Sequence, residues 1–268
     1  MLEDWKNGKR IGIFGKGEET VFVLHGGPGA PGGAEPIAKE LSTEFRVYSP
    51  WQRRSGPVKL SVKQHVEDLR ECIEDRCRNN QPALVGESWG AMLALAFTAE
   101  YPGMVRRVAL VGCGTFDEAA RAELTVKRRE RIKAHIEAHP EFRDDLQLPF
   151  EQQVMKWHEV TDTYCALENT LHDESTEAFD RQGFDETWGD MLRCQRDNIY
   201  PERFVNITSP VLMLHGDYDP HPGLATAKYL RLFIPHLEYR EFEKCGHAPH
   251  KEKYAKDDFF GFLKSWLK

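Results

Sequence analysis

Ala83-Leu84-Val85-Gly86-Glu87-Ser88-Trp89-Gly90-Ala91-Met92-Leu93-Ala94-Leu95-Ala96 joins a short apolar run, a glycine-bounded pentapeptide and a stretch of strong helix formers without a gap. The first three residues predict a buried strand, and Ala91 to Tyr101, stopped by Pro102, predicts a helix. The pentapeptide between them must turn sharply, and its small terminal residues let the two backbones approach closely. A serine at the tip of such a turn is lifted to the edge of the sheet at a helix N-terminus. Ser88 is therefore a candidate nucleophile on a strand-turn-helix unit.

Downstream, Val105 to Val111 reads as another buried strand, ending in Gly112-Cys113-Gly114. Upstream, Val62 to Arg78 has helical spacing, with Val62, Val66, Leu69 and Ile73 on one face. Phe45 to Ser49 reads as a strand and Ala34 to Leu41 as a helix. Arg10 to Phe14 and Val21 to His25 are short apolar segments that read as a hairpin leading into the sheet. The alternation resumes at Pro210 to His215, followed by a helix near Ala225 to Phe233, a strand near Leu237 to Phe242 and an amphipathic helix ending in Trp266. This pattern predicts an α/β fold with a mostly parallel, twisted sheet flanked by helices. Residues 117–204 are charged, helix-like and too long for a simple crossover, so they predict a helical cap inserted into a core formed by 1–116 and 205–268.

A formal charge of −7 disfavours binding to a phosphate backbone, so no nucleic-acid partner is expected. The acidic start, Met1-Leu2-Glu3-Asp4-Trp5-Lys6, has no signal-like apolar stretch, and no run is long enough to span a membrane, which predicts a cytoplasmic protein. Six scattered cysteines without paired C-x-x-C spacing fit reduced thiols. No cofactor is expected, and no metal, because His221 and His250 have no carboxylate or second histidine at ligand spacing in the sequence. The expected partner is a small-molecule or short-peptide substrate; oligomeric state is not legible.

A serine hydroxyl needs a base within hydrogen-bond reach, and the base needs an acid to hold its tautomer. Asp219 lies just beyond one late strand and His247 just beyond the next, in the order serine, acid, histidine. Asp219 is preferred over Asp217, which suits a turn, and over Asp117 after the preceding strand. Developing negative charge on a carbonyl oxygen needs aimed donors. The Trp89 N–H at the helix N-terminus is one candidate, and the Gly27 N–H in His25-Gly26-Gly27-Pro28-Gly29 is the other, since Pro28 has none to offer.

Taken with Gly86-Glu87-Ser88-Trp89-Gly90, the segment His25-Gly26-Gly27-Pro28-Gly29 resembles the proline iminopeptidase branch of the α/β-hydrolase superfamily, in motif order over nearly the whole chain. The resemblance implies release of N-terminal proline or small aminoacyl groups through an acyl-enzyme, with acidic cap residues holding the substrate amine. Two departures stand out. Trp51-Gln52-Arg53-Arg54-Ser55-Gly56 keeps only Gln-Arg of the branch's Asp-Gln-Arg-Gly-x-Gly-x-Ser, and Trp157-His158-Glu159 stands where the branch often has a Trp-Glu pair. Candidate substrate contacts are Gln52, Trp157 and Glu159, with Asp162, Glu168 and Glu186 as further cap acids. An esterase, lactonase or carbon–carbon hydrolase on a small acyl substrate is the alternative, and a non-catalytic ligand sensor is the third reading.

Overall fold

The computed structural model describes residues 1–6, 9–78, 80–149, 152–153 and 177–268. Its centre is an eight-stranded sheet in the order β1-β2-β4-β3-β5-β6-β7-β8. The strands are β1 (Leu2–Trp5), β2 (Lys9–Phe14), β3 (Thr20–Leu24), β4 (Arg46–Pro50), β5 (Ala83–Glu87), β6 (Arg107–Val111), β7 (Val211–Gly216) and β8 (Glu238–Phe242). From β4 to β8 every neighbouring pair is parallel, while β2 pairs antiparallel with both β1 and β4.

The expected hairpin between the second and third strands does not form. Strand β4 inserts between them, pairing Ile11 with Pro50 on one side and Val21 with Val47 on the other. The connecting residues pass beneath the approach to β4: a Cβ on Gly15 (φ +67°) would lie 2.2 Å from the Phe45 carbonyl oxygen, and one on Gly17 2.3 Å from that of Glu44. Two glycines thus serve a close crossing, not a tight reversal. Strand β1, too short and polar to be read from the sequence, is held through the β2 ladder.

Alternation along each central strand divides the core into two layers. Phe22, Leu24, Leu84, Val108, Leu110, Val211 and Met213 face one layer, and Val21, Val23, Ala83, Val85, Ala109, Val111, Leu212 and Leu214 face the other. The first layer is covered by α2 (Val62–Cys77) and α3 (Trp89–Glu100), with α6 (Gly223–Leu230) beside them; α1 (Glu35–Leu41) and α7 (Lys256–Leu267) cover the second. A capping box of Ser61 and Gln64 starts α2. Helix α3 is apolar around its whole circumference, and Trp89 to Ala99 are all buried, as such a helix requires.

Between β6 and β7, the described residues form α4 (Glu118–Ala138), a 3₁₀ segment, Pro140–Gln147, α5 (Arg181–Arg196) and the 3₁₀ turn Glu202–Asn206. Met191, Cys194, Tyr200 and Phe204 join the first core layer, so α5 and the 3₁₀ turn after it pack into the same core as the sheet. Helix α5 and its N-cap are tied to the segment that leads into α2 by side chains accepting backbone N–H groups: Asp180 from Ser55, Glu186 from Leu60 and Asp190 from Val62. Trp157, Glu159, Asp162 and Glu168 lie outside the described residues.

Because β3, β5, β6, β7 and β8 run parallel, their C-terminal ends share one edge. The loops that carry residues 25–29, 88, 112–116, 217–222 and 245–250 all leave from there. One close join at this edge is glycine-dependent: a Cβ on Gly90 would lie 2.3 Å from the Leu24 carbonyl oxygen. Gly90→Ala is expected to cost about 1–3 kcal/mol, the range of overpacking a close-packed site. Denaturant unfolding checks this, and a midpoint equal to that of the unsubstituted protein would contradict it.

Candidate active site

Ser88 sits at φ 52° and ψ −113°, a left-handed conformation that a non-glycine residue adopts only when its surroundings impose it. Three features impose it here. The Ser88 N–H donates to Val111 O (2.8 Å), and Ser88 O accepts from Ala91 N (3.1 Å), which starts the helix. A Cβ on Gly86 would be 2.2 Å from Gly90 O, so only glycine lets strand and helix cross at this spacing. The serine is half-buried at the edge, and a Cβ on Gly26 would lie 3.1 Å from its own Cβ, so the loop after β3 passes close to it.

Asp219, in the loop after β7, is fully buried, and several donors converge on its carboxylate. His247 Nδ1 lies 2.7 Å from Oδ2, His221 Nδ1 2.9 Å from Oδ1, His221 backbone N 2.9 Å from Oδ1, and His215 Nε2 2.9 Å from Oδ2. An ionised carboxylate only accepts hydrogen bonds, so His247 and His221 carry their protons on Nδ1 and His247 keeps an Nε2 lone pair. The rings of His221 and His247 stack, centroids 4.5 Å apart. Burial alone would raise the Asp219 pKa, but the imidazoles of His247, His221 and His215 outweigh it and hold the carboxyl well below the usual range. Burial also works against charge on His247, yet the charge and hydrogen bond of Asp219, with Glu87 adding to them, raise its pKa above the ordinary histidine value. His221 goes the other way: burial wins over Asp219 and brings it down to about 3, so it stays neutral.

The His247 ring rests on Gly112 at the end of β6. A Cβ there (φ +55°) would meet the ring at 3.1 Å and the His247 carbonyl oxygen at 2.5 Å. Val111, which holds the Ser88 N–H, is the preceding residue, so the serine and the imidazole flank the same strand end. Among the described residues no hydrogen bond joins Ser88 Oγ to His247, and such bonds are often long until substrate is in place.

The loop after β3 is pinned at both ends. Asp180 N donates to Gly29 O (2.8 Å), and Ala30 N to Gly27 O (2.8 Å), with Gly27 at φ +43°. Gln52 follows β4 and bonds to this loop and to α3: its backbone N–H meets His25 Nε2 (3.1 Å), its Nε2 donates to His25 O (3.0 Å), and its Oε1 accepts from Trp89 Nε1 (2.6 Å). The backbone N–H groups of Gly27 and Trp89 have no other acceptor among the described residues.

Other candidates have different tasks. Asp117 caps α4 by accepting from Ala120 N, and Asp217 accepts from Cys245 N (3.1 Å) in its turn. Glu186 accepts from Leu60 N and Gln182 Nε2, and His250 is buried with Nε2 3.7 Å from a Glu87 carboxylate oxygen. His221 does have a carboxylate and a second histidine beside it, contrary to expectation. The chain bend between β7 and β8 brings Asp219, His221 and His247 within ligand distance of one another, the described group able to hold a metal ion. Its Nδ1 atoms are already engaged with the carboxylate. Cys72, Cys77, Cys113, Cys194 and Cys245 are buried free thiols, and no described helix is long and apolar enough to cross a membrane. Sequence reasoning missed the shared role of His215 and His221 on Asp219 and the recess that Gly112 provides. The sole signal was nearness in the chain, His215 and His221 being four and two residues from Asp219.

Removing the Asp219 carboxylate strands three imidazoles, so Asp219→Ala should lose about 3 kcal/mol or more of stability. Asp217→Ala, which removes one acceptor, should lose about 1 kcal/mol. Equal losses in chemical denaturation would contradict this division of roles.

The chain matches the family model described as alpha/beta hydrolase fold over residues 19–254. It is 26% identical over 253 residues to the 2-hydroxy-6-oxo-2,4-heptadienoate hydrolase of Pseudomonas putida, covering 87% of this chain and 83% of the relative. It is 24% identical over 273 residues to the proline iminopeptidase of Lactobacillus helveticus, covering 92% and 89%. Among solved structures, a serine hydrolase from Cycloclasticus zankles superposes with a TM-score of 0.66 at 17% identity, covering 100% of this chain and 97% of that one.

Proposed function

The chain belongs to the alpha/beta hydrolase fold family, and from that premise we propose that it hydrolyses a small acyl substrate with Ser88 as nucleophile, His247 as general base and Asp219 as the acid that orients it. The observation that carries the reading is the 2.7 Å contact between His247 Nδ1 and the buried Asp219 carboxylate, beside the strand end that holds Ser88. In this mechanism His247 Nε2 takes the Ser88 proton as Oγ attacks the carbonyl carbon. The N–H groups of Trp89 and Gly27 receive the negative charge that develops on oxygen. His247 then returns the proton to the leaving group, and water, activated by the same imidazole, releases the acyl group. Asp219 remains ionised and stabilises the imidazolium.

For the substrate we favour an ester, a lactone or a ketone cleaved at a carbon–carbon bond over an N-terminal prolyl amide. Reading an amine takes carboxylates near the serine; of the described acids on and beside α5, Asp180, Glu186 and Asp190 are engaged by the backbone of residues 55, 60 and 62, and Asp185 by Arg181. The cation of Arg128, on α4, lies close enough to oppose charge on both His247 and His221. From the next turn Arg131 stacks on Tyr218 at 3.8 Å, beside Asp219. The proline iminopeptidase reading is kept by the loop His25-Gly26-Gly27-Pro28-Gly29 and by the similarity to the Lactobacillus helveticus enzyme.

Two measurements test this. A fluorophosphonate probe should label Ser88, and Ser88→Ala should lower turnover by about 10⁴-fold or more while leaving the fold intact; unchanged turnover would refute the nucleophile. A chromogenic panel of short-chain esters and prolyl and aminoacyl amides separates the substrates, with esters expected to be cleaved faster. A clear prolyl preference would favour the peptidase.

The pH dependence follows from the sign of the His247 shift. The base works when neutral, so kcat/KM should rise with pH as His247 loses its proton. Because its pKa is raised, the midpoint of that limb should lie above 6.5. Asp219, His221, Glu87 and Arg128 are the groups acting on this imidazole, and Asp219→Asn, by removing the main opposing charge, should move the limb to lower pH. A limb centred below 6.5 in the unsubstituted enzyme would contradict the assignment.

A further inference from the structure

We propose that Gln52 is a positioning residue for the oxyanion site, fixing the Gly27 and Trp89 N–H groups relative to each other by tying the loop after β3 to the first turn of α3. The proposal rests on the serine-hydrolase reading above and goes beyond it, because Gln52 is assigned to the protein's own loops and not to the substrate.

His25 is buried and held neutral, its pKa brought down to about 4 by burial against the hydrogen bond to Gly26. The Gln52 backbone N–H donates to His25 Nε2, so that nitrogen is the acceptor and the proton sits on Nδ1. Nδ1–H then donates to the Gly26 carbonyl at 2.9 Å. In a planar trans peptide the C=O of Gly26 and the N–H of Gly27 point in opposite directions. Fixing Gly26 O against the His25 ring therefore fixes the direction of the Gly27 N–H, one of the two proposed donors.

The side chain of Gln52 does the rest. Its Nε2 donates to His25 O, and its Oε1 accepts from the indole N–H of Trp89, whose backbone N–H is the other proposed donor. A carboxamide is the neutral side chain that donates and accepts at once with this reach. A carboxylate accepts only, and a thioether does neither to useful strength. His25 and Trp89 are 1% and 2% exposed, so water does not replace these bonds when they are lost. A Cβ on Gly26 would lie 3.1 Å from Ser88 Cβ, and one on Gly90 2.3 Å from Leu24 O and 2.8 Å from His25 O, so loop and elbow also approach closely through these glycines. Gln52 closes this ring of contacts.

The test uses Gln52→Met, Gln52→Glu and Trp89→Phe in the full chain. Fluorophosphonate titration counts competent serines, so that kcat is expressed per labelled site. Affinity is measured for a trifluoromethyl ketone, whose hemiketal carries the oxyanion, and for the matching methyl ketone. In all three variants kcat per labelled site should fall about 10- to 100-fold, with KM changed by less than about threefold. Affinity for the trifluoromethyl ketone should fall by the same factor as kcat, and affinity for the methyl ketone should not. The double variant Gln52→Met/Trp89→Phe should lose little more than either single one, because both break the same link. A staple that matters only for folding would lower the labelled fraction and leave kcat per site alone; that result, or a loss confined to KM, overturns the proposal. If Gln52→Met does not fold, Gln52→Glu and Trp89→Phe decide by the same criteria. Failure of the unsubstituted protein to label would instead overturn the serine-hydrolase reading.

Discussion

A single buried carboxylate, that of Asp219, organises the candidate site of this protein. Asp219 is out of reach of water, and an ion in that position is tolerable only if donors replace its hydration. Three imidazoles and a backbone N–H supply them. The arrangement serves each partner differently. His215 and His221 donate hydrogen bonds to the carboxylate, while His247, at the rim of the loop after β8, is held with Nδ1 protonated and its Nε2 available. Burial keeps His221 neutral, so the stacked pair does not place two positive charges face to face.

The carboxylate matters only because the sheet brings the rest to it. Parallel strands put the ends of β3, β5, β6, β7 and β8 on one edge, and at that edge side chains give way to bare backbone. Gly86, Gly90 and Gly112 each lie where a Cβ would fall within 2.5 Å of a backbone carbonyl oxygen. Together they let the helix after Ser88 pack onto its own strand, let that helix approach β3, and leave room for the His247 ring. The strained conformation of Ser88 is supported by this packing and by the hydrogen bond to Val111 O. Local strain and close approach are thus parts of one construction, with the loop after β3 latched to it through Gln52.

Much of this was legible in the sequence, for definite reasons. The strand-turn-helix unit around Ser88 was readable because apolar run, glycine pair and helix formers follow one another without interruption, and strand ends at Val111 and His215 were readable from their flanking glycines. Asp219 and His247 could be chosen because each follows a late strand. The order of β2, β3 and β4 was not readable: two apolar segments separated by a glycine turn look the same whether they pair with each other or admit a third strand between them. The convergence of His215 and His221 on Asp219 depends on the course of a loop, and the latch formed by Gln52 depends on hydrogen bonds between residues 27 and 37 positions apart. Neither leaves a periodic trace. The identity of Gln52 could be seen, and its task could not.

The tautomer and charge of His247 are what link the fold to the chemistry, and nitrogen-15 NMR of histidine-labelled protein reads both. Across a pH titration, with Asp219→Asn and His247→Gln used to assign the signals, Nδ1 of His247 should remain protonated throughout while Nε2 titrates at a pH above the ordinary histidine value, and His221 should stay neutral over the same range. A His247 signal with its proton on Nε2, or one that titrates below the ordinary value and is unmoved by Asp219→Asn, would contradict the coupling between the buried carboxylate and the base.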